Sequence, residues 1–503
     1  MLLINPPIVK PCEPPAGIAR LAGALRGHGI KCTTVDAGME GLLHLLAGSF
    51  PVTDTWSRRA CRHVAGNLDA LRSMELYVNF DRYRRAVSDV NRVLELAGRL
   101  NLSLSLVNYQ DEALSPLKSD DLLTSAAYPE RNIFYPSFAE SFTRLVEKEQ
   151  PKFVGISLNY LSQALPAFAM LGFFRARFPS LVTILGGGLV TSWLSNPAWK
   201  NPFGGLVDHM IAGPGEEPLI ALLGAKVQYP SAAPDYSGLP LQNYLSPGII
   251  LPYAASSGCY WNKCSFCPEK AEHNPYRALP TEQVLYDISR LTQTTRPTLL
   301  HLLDNAISPA LLKAITDNPP GMDWYGFARV SPQLADHDFC HALRRSGCRM
   351  LKLGLESGDQ QVLDAMDKGI DLPLVSSALK SLKEAGIATY VYLLFGTPSE
   401  NLASARRTLD FTVQHHEAIT FLNLAVFNMP IAGPDAAALS INDFYEGDLS
   451  LYTDFDHPLG WNRKEVRRFL DQEFKRHPAI AAILRGDPPI FTSNHAAFFC
   501  KSR

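Results

Sequence analysis

The chain has 503 residues, of which 46% are hydrophobic and 19% are charged, with a formal net charge of -2. This composition predicts a globular chain with apolar side chains for one large core or two to three packed domains. The near-neutral charge gives no electrostatic footprint for nucleic acid or an anionic membrane surface, and nine cysteines, an odd and mostly scattered set, argue against a disulfide framework.

The sequence predicts no targeting signal. The first residues, MLLINPPIVKPCEPP, lack a basic start followed by an apolar stretch and a cleavage site. No run of about 18 uncharged apolar residues occurs elsewhere. We therefore expect a cytoplasmic protein without a membrane span.

Residues 1–227 predict a doubly wound, Rossmann-like α/β domain. Short apolar strands alternate with helical patterns in this region, and the strand segments read LLINPP, KCTTVDA, KFVGISL, LVTILGGG and VDHMIAG. Residues about 45–135 break the rhythm with amphipathic segments such as RYRRAVSDVNRVLELAGRL. This part predicts a mainly helical insertion.

Ligands of such sheets bind beyond the carboxyl ends of the strands. Ser157 and the glycines 186–188 follow two of the predicted strands, where glycine lets a backbone approach a large ligand closely. Gly186, Gly187 and Gly188 equally fit a simple strand-ending turn. Because the GxGxxG fingerprint is absent, a dinucleotide is not the expected ligand.

A second domain is predicted after a linker at 228–248, which is rich in Pro, Gly and Ser. Residues 249–431 contain six strands with intervening helices, a pattern that predicts a partial (β/α)6 barrel of the TIM type with its chemistry at the carboxyl ends of the strands. Residues 432–503 predict a mainly helical C-terminal segment. The barrel strands end near polar or flexible groups, namely Asp304, Arg329, Glu356 and Gly396.

Three cysteines, Cys259, Cys264 and Cys267, follow the first barrel strand in GCYWNKCSFC. His273 would complete a Cys3His zinc site, which would make the chain a zinc-stabilised ligand-binding protein. Three cysteines also suit an iron-sulfur cluster with one iron left open for a small molecule, since fully ligated clusters take four. A structural zinc site has no need of a barrel rim, so the position favours the cluster.

The motif GCYWNKCSFC, after the first strand of a predicted six-unit barrel, resembles that of the radical S-adenosylmethionine (SAM) superfamily. The combined chain resembles the branch of this superfamily with an N-terminal cobalamin-binding domain (class B radical SAM methyltransferase-like). The resemblance covers roughly residues 1–45 and 137–430. Its other motifs are TILGGG, IAGPGEEPL, PDYSGLPL, HLLDNAI, GLESGDQQVLDAMDKG and YLLFGTPSE.

The resemblance implies a role for several residues. Cys259, Cys264 and Cys267 would hold a [4Fe-4S] cluster whose fourth iron binds the amino and carboxylate groups of SAM. The predicted SAM contacts are Phe266 beside the adenine, Glu356 and Ser357 after the fourth strand, Arg329 at a carboxylate or ribose, and the backbone of Gly396 at the adenine. Four residues separate the first two cysteines where the family commonly has three, so the loop must bulge, with Tyr260 and Trp261 packing under the rim.

The resemblance also implies the reaction. Reductive cleavage of SAM would give a 5'-deoxyadenosyl radical, and methylcobalamin would transfer a methyl group to an unactivated carbon or to phosphorus of the substrate, a small molecule or peptide. An electron donor such as flavodoxin or ferredoxin would be the protein partner.

Two other readings stay open. No Asp-x-His-x-x-Gly motif occurs in the first domain, which fits cobalamin bound without a protein histidine and equally a vestigial domain in a radical SAM enzyme of another reaction type, such as ring formation or rearrangement. Cys12, Cys32 and Cys61 would serve a second cluster in a methylthiotransferase, although buried inert thiols explain them as well.

Overall fold

The fold is taken from a computed structural model, which describes residues 1–98, 101–227, 232–443, 446–489 and 495–500. The chain divides into two compact units. The first contains residues 1–250 and 446–451, and the second contains residues 251–443, 452–488 and 495–500. In the described residues, no helix is both long and apolar enough to cross a membrane.

The first unit is built on a five-stranded sheet in the order β2-β1-β5-β6-β7, and every pair in it is parallel. Its strands are β1 (Leu2–Asn5), β2 (Thr33–Asp36), β5 (Phe153–Ser157), β6 (Val182–Gly186) and β7 (His209–Ile211). The chain moves outward from β1 to β2 and then crosses to β5 on the other side. The predicted doubly wound parallel sheet is therefore confirmed. Its strand order reverses between β1 and β5, which is the position where sheets of this type bind ligands.

Ten helices of the described chain belong to this unit: α1 (Ala16–Gly27), α2 (Ala37–Leu46), α3 (Thr55–Leu71), α4 (Met74–Tyr77), α5 (Phe80–Gly98), α6 (Ser119–Ala127), α7 (Tyr135–Glu149), α8 (Leu161–Arg177), α9 (Gly188–Ser195) and α10 (Glu216–Leu222). The predicted helical insertion corresponds to α3 through α6. It also contains a hairpin of β3 (Leu102–Leu104) and β4 (Tyr109–Asp111), whose three-residue strands are too short to show a periodicity of two in the sequence.

The predicted linker packs against the first unit over its described part. The backbone N–H of Asp235 donates to the carbonyl of Ala19 at 2.8 Å, and its carboxylate pairs with Arg26 at 2.6 Å. Gly23 makes this close approach possible, because a Cβ there would lie 2.0 Å from the carbonyl oxygen of Ala233. Residues 228–231 of the linker lie outside the described residues. The described part of the segment packs on α1, and its assignment as a linker between domains stays a prediction.

The second unit is built on six strands in the order β15-β14-β13-β12-β11-β8, with β11 through β15 paired in parallel. They are β8 (Ile250–Tyr253), β11 (Leu299–Leu302), β12 (Asp323–Ala328), β13 (Cys348–Glu356), β14 (Ala388–Phe395) and β15 (Phe421–Val426). Two short strands, β9 (Ser256–Ser257) and β10 (Arg277–Ala278), form a hairpin between β8 and β11. All six predicted barrel strands are present, in sequence order across the sheet.

Helices connect these strands: α11 (Pro268–Ala271), α12 (Thr281–Thr295), α13 (Pro309–Asp317), α14 (Pro332–Ala335), α15 (His337–Arg345), α16 (Gln360–Ala365), α17 (Leu372–Glu384) and α18 (Leu402–Gln414). Several begin with a side-chain cap, as the sequence around them suggests. Asp371, for example, accepts from the backbone N–H of Leu374 at 2.8 Å and so satisfies a donor that the first turn of α17 leaves free. Alternating strands and capped helices place the carboxyl ends of the six strands at one rim.

The C-terminal segment is helical over α19 (Pro434–Ala438), α20 (Arg463–Phe469) and α21 (Pro478–Arg485), with a π-helical stretch at Leu470–Phe474. It also contributes β17 (Ile441–Asn442) and β18 (Tyr452–Phe455) to a small antiparallel sheet in the order β16-β18-β17, in which β16 (Met429–Pro430) comes from the end of the barrel region. These strands of two to four residues give no readable pattern, which is why only the helices were predicted.

Candidate functional site

The three cysteines lie on one loop that begins where β8 ends. Cys259 follows Gly258, whose φ is +70° and whose Cβ would lie 2.6 Å from the carbonyl oxygen of Pro275, so only glycine fits before it. Cys267 is the residue that precedes the first turn of α11. All three are partly buried, and all three thiols are free. The loop therefore presents three soft sulfur ligands at the rim of the barrel.

The charge of a neighbouring cysteine affects the pKa of Cys264 and that of Cys267. Burial raises the pKa of Cys264, the cations Lys368 and Arg329 oppose that rise, and a negative charge on Cys259 adds to it. Burial raises the pKa of Cys267 to about 11, against the backbone N–H groups of α11. Without a bound cation, Cys264 and Cys267 keep their protons at neutral pH, so a metal must displace those protons on binding.

Among the residues with described positions, no three His, Cys, Asp or Glu side chains surround one point as the ligands of a single metal ion would. His273, the predicted fourth ligand of a zinc site, is exposed and has a φ of +55°. His273 thus forms no such group with the cysteines.

Residues after β11 support the cysteine loop. The carboxylate of Asp304 accepts hydrogen bonds from the backbone N–H of Ala255 at 3.2 Å and from the hydroxyl of Ser256. The amide of Asn305 donates to the carbonyl of Gly258 at 3.3 Å. Burial raises the pKa of Asp304, and these donors oppose the rise. From the sequence Asp304 was only one of several polar groups on the rim, and its role as a support for the loop comes from the structure.

Arg329 follows β12 and reaches the same loop. Its guanidinium carbon lies 3.9 Å from the ring centre of Trp261, and it donates to the carbonyl of Gly369 at 2.9 Å and to that of Lys368. Burial lowers the pKa of Arg329, while the nearby thiol of Cys264 raises it. Its contact with SAM stays a prediction; the contacts in the structure are with the cysteine loop and the 368–369 backbone.

Glu356 and Phe266 come together through a residue that sequence reasoning missed. Glu356 ends β13 with a φ of +69°, and its carboxylate lies 2.8 Å from the ammonium of Lys368. That ammonium lies 5.6 Å from the ring centre of Phe266. Lys368 stands in the motif GLESGDQQVLDAMDKG, and a charged residue that is mostly buried is uncommon unless paired. In the sequence alone nothing marks it as buried.

Ser357 and Gly396 have protein partners in the structure. Ser357 is fully buried, and its hydroxyl lies 3.1 Å from that of Thr408 on α18 and accepts from the backbone N–H of Asp359 at 3.1 Å. The contacts of both residues with SAM stay predictions. Gly396 follows β14 with a φ of +85°, and its backbone N–H donates to the carboxylate of Glu400.

The predicted ligand loops of the first unit lie side by side. Gly187 has a φ of +110°, and a Cβ there would lie 2.4 Å from the carbonyl oxygen of Leu158. Asn159 joins the two loops, because it donates to the hydroxyl of Ser157 at 3.1 Å and accepts from the backbone N–H of Gly188 at 2.9 Å. Gly186 ends β6. The sequence SLNYLSQ does not predict this role for Asn159, since a loop asparagine has no distinctive spacing.

The cysteines of the first unit lie on different elements. Cys12 and Cys32 are buried in segments before α1 and before β2, and Cys61 lies within α3. Burial raises the pKa of Cys32, with Arg26 opposing. Burial of Cys12 and Cys32 is typical of unreactive thiols.

Comparison with known proteins supports the barrel assignment. Residues 253–412 match the Radical SAM superfamily. An uncharacterized methyltransferase of Pyrococcus horikoshii, PH0819, is 25% identical over 186 residues, which are 35% of this chain and 40% of that protein. The chain thus aligns with less than half of this relative's length.

Two solved structures share the fold over nearly the whole chain. The cobalamin-dependent SAM radical enzyme OxsB, with aqua-cobalamin and SAM bound, matches with a TM-score of 0.61 at 12% identity. The matched region covers 94% of this chain and 66% of the OxsB chain. The radical SAM methyltransferase TsrM from Kitasatospora setae, with tryptophan and a SAM analogue bound, matches with a TM-score of 0.56 at 16% identity. The matched region covers 97% of this chain and 89% of the TsrM chain. At these identities the similarity establishes the α/β architecture.

Proposed function

We propose that this chain, which carries a radical SAM domain over residues 253–412, is a cobalamin-dependent radical SAM enzyme that transfers a methyl group to an unactivated carbon or to phosphorus of its substrate. The observation that carries the proposal is the set of three free thiols in the loop after the first strand of a parallel six-stranded half barrel. The methyltransferase TsrM and the cobalamin enzyme OxsB, which share the fold, support the finer assignment.

The cysteine loop fits a [4Fe-4S] cluster. Each thiolate of such a cluster binds a different iron, so the sulfurs need to face one volume without surrounding one point. Cys264 lies in the electrostatic field of Cys259, and Cys267 in that of Cys264. The cations Lys368 and Arg329 beside Cys264 would favour its thiolate form. The missing fourth cysteine leaves one iron for the amino and carboxylate groups of SAM.

The rim beside the loop fits the rest of SAM. Glu356 and Lys368 place one carboxylate and one ammonium next to Phe266, which offers an apolar face for the adenine. Gly396 at the end of β14, with a φ of +85°, would lie at the adenine. In this arrangement the protein orients the sulfonium and excludes water, while the bound groups supply the 5'-deoxyadenosyl radical and the methyl group.

The carboxyl edge of the first unit fits a large planar cofactor. Gly187 lets the loop after β6 pack closely on the loop after β5, because a Cβ there would lie 2.4 Å from the carbonyl oxygen of Leu158. Asn159 fixes the neighbouring loop and orients the hydroxyl of Ser157. These residues would hold cobalamin by its periphery, without an Asp-x-His-x-x-Gly histidine for the cobalt.

A second candidate is a radical SAM enzyme of another reaction type, such as ring formation or rearrangement, whose first unit binds no cobalamin. The absence of that histidine motif from the sequence is the observation that favours it. Both candidates need an electron donor such as a flavodoxin or ferredoxin.

Metal analysis separates these candidates. Protein purified without oxygen would be analysed for iron, sulfide, zinc and cobalt, before and after incubation with hydroxocobalamin and gel filtration. We expect about four irons and four sulfides per chain, with one cobalt retained. Four irons without cobalt would leave the second candidate. Zinc alone, with no iron taken up on reconstitution, would overturn both and favour a zinc-stabilised binding protein.

A further inference from the structure

Trp261 lies in the four-residue loop between Cys259 and Cys264, and it is held on several sides. Its indole N–H donates to the carbonyl of Asp367 at 3.0 Å. The guanidinium of Arg329 lies 3.9 Å from the ring centre, and the ammonium of Lys263 lies 4.8 Å from it. A cation at this distance from an indole face is attracted by the ring quadrupole. The extra residue of the loop therefore has a defined place.

The backbone at residues 367–369 is shaped to receive this ring. Gly369 has a φ of +62°, and a Cβ there would lie 2.1 Å from Cζ2 of Trp261. Asp367 also adopts a left-handed conformation, with a φ of +52°, which turns its carbonyl to the indole N–H. The ring thus rests directly on the α-carbon of Gly369, a contact that no other residue type permits.

Arg329 joins the same backbone to the cysteine loop. It donates to the carbonyls of Lys368 and Gly369, and its guanidinium lies over the indole of Trp261 in the cysteine loop. The backbone N–H of Ser265, which follows Cys264, donates to the carbonyl of Met366 at 3.0 Å. One arginine therefore touches both the indole and the backbone that receives it.

We propose that Trp261, Arg329 and Gly369 form a clamp that holds the four-residue loop in one conformation and keeps the positive charge of Arg329 beside the cysteines. The inference rests on the proposed function, because it takes the three cysteines as cluster ligands. Arg329 is a positioning residue in this arrangement. A positive charge beside a cluster stabilises the reduced, more negative cluster and so raises its reduction potential.

The steric half of the clamp is tested with glycine variants. Gly369→Ala places a methyl group where the ring of Trp261 lies, whereas Gly321→Ala has the same kind of positive φ, +72°, with nothing within 4 Å. Both variants carry the backbone strain, and only the first displaces the ring. After anaerobic reconstitution we expect Gly369→Ala to retain less than half of the wild-type iron and sulfide, and Gly321→Ala to retain all of it.

Trp261→Ala is the second variant, because it creates no clash and removes the ring itself. It should keep the wild-type circular dichroism spectrum and lose iron faster than wild type to a chelator. In the metal-free protein, mass spectrometry should show faster alkylation of Cys264 in this variant, since the loop that carries the thiol has lost its packing.

The electrostatic half is tested at Arg329. Redox titration followed by electron paramagnetic resonance should show that Arg329→Gln shifts the equilibrium towards the oxidised cluster by about tenfold, or about 59 mV for one electron. Arg329→Lys should recover part of the shift, since it keeps the charge but not the fork of donors.

The two levels of the proposal fail differently. If wild-type protein takes up no cluster, the proposed function is wrong. If wild type holds about four irons while Gly369→Ala and Trp261→Ala hold as many, and Arg329→Gln keeps the wild-type potential, the clamp is wrong and the proposed function stands.

Discussion

The ammonium of Lys368 lies 2.8 Å from the carboxylate of Glu356, and both side chains are largely withdrawn from water, with 9% and 12% of their surface exposed. Glu356 holds this position with a left-handed backbone at the end of β13. Removing one partner of such a pair leaves a poorly solvated charge behind.

Lys368→Met should therefore lower the free energy of unfolding by about 3 kcal/mol, and the double variant Lys368→Met/Glu356→Gln should recover a large part of it. Urea unfolding followed by circular dichroism measures both. The control is Lys383→Met, which breaks an exposed pair with Glu417 and should cost less than about 1 kcal/mol. Equal losses in Lys368→Met and Lys383→Met would contradict the buried pair.

Glu400 should make stability depend on pH. Burial raises its pKa to about 7, although the backbone N–H of Gly396 and the indole N–H of Trp461 donate to its Oε2. The folded chain then binds the proton more tightly than the unfolded chain, whose glutamate pKa is about 4.3. The stabilisation is present in full below about pH 4 and is lost as the pH rises to about 7.

Glu400→Gln keeps an acceptor for both donors and has no charge to lose. We expect the difference in unfolding free energy between wild type and this variant to change by about 3 kcal/mol between pH 4.5 and pH 8, in favour of the variant at high pH. Unfolding measured across that range tests it. Parallel profiles for the two proteins would show that Glu400 does not titrate in this window.

The sequence predicted those parts of the fold that long periodic segments encode. The six barrel strands and the parallel sheet of the first unit were readable because runs such as KFVGIS and ATYVYLLF alternate with amphipathic helices. The hairpin at Leu102–Leu104 and the small C-terminal sheet were not, because these strands of two to four residues lie in no continuous apolar run that alternates with helices.

The candidate site was likewise predicted only in part from the sequence. The cysteine spacing names the three thiols directly, but the partners of the loop are set by tertiary contacts. Trp261 was expected to pack under the rim, and in the structure its neighbours are Arg329 and Gly369, the latter some hundred residues away in the chain. Lys368, Asp304 and Asn159 are ordinary polar residues in the sequence and acquire a role only through what they contact.

Gly187 provides a test of the first unit. Gly187→Ala would force a Cβ to within 2.4 Å of the carbonyl oxygen of Leu158 at a φ of +110°, whereas Gly224→Ala has a φ of +76° and open space. The control carries only backbone strain, about 1–2 kcal/mol. We expect Gly187→Ala to lose more stability than that, and to retain less than a tenth of the wild-type cobalt after incubation with hydroxocobalamin. Full cobalt retention in Gly187→Ala would place the cofactor away from the glycine loop.

A matched pair of variants distinguishes the role of the three cysteines after β8 from that of the other thiols. Cys264→Ala should remove the iron and sulfide and abolish formation of 5'-deoxyadenosine from SAM, because two thiolates do not hold the cluster. It should leave cobalamin retention unchanged, since the thiol lies in the second unit and the glycine loops lie in the first.

Cys61→Ala is the control, because Cys61 is a partly exposed thiol on α3. It should keep about four irons and wild-type cleavage of SAM. Loss of about half the iron in this variant, from a wild type with about eight, would instead reveal a second cluster in the first unit and turn the assignment to methylthiolation. Iron content and 5'-deoxyadenosine, measured on the same preparations, therefore decide which set of cysteines carries the chemistry.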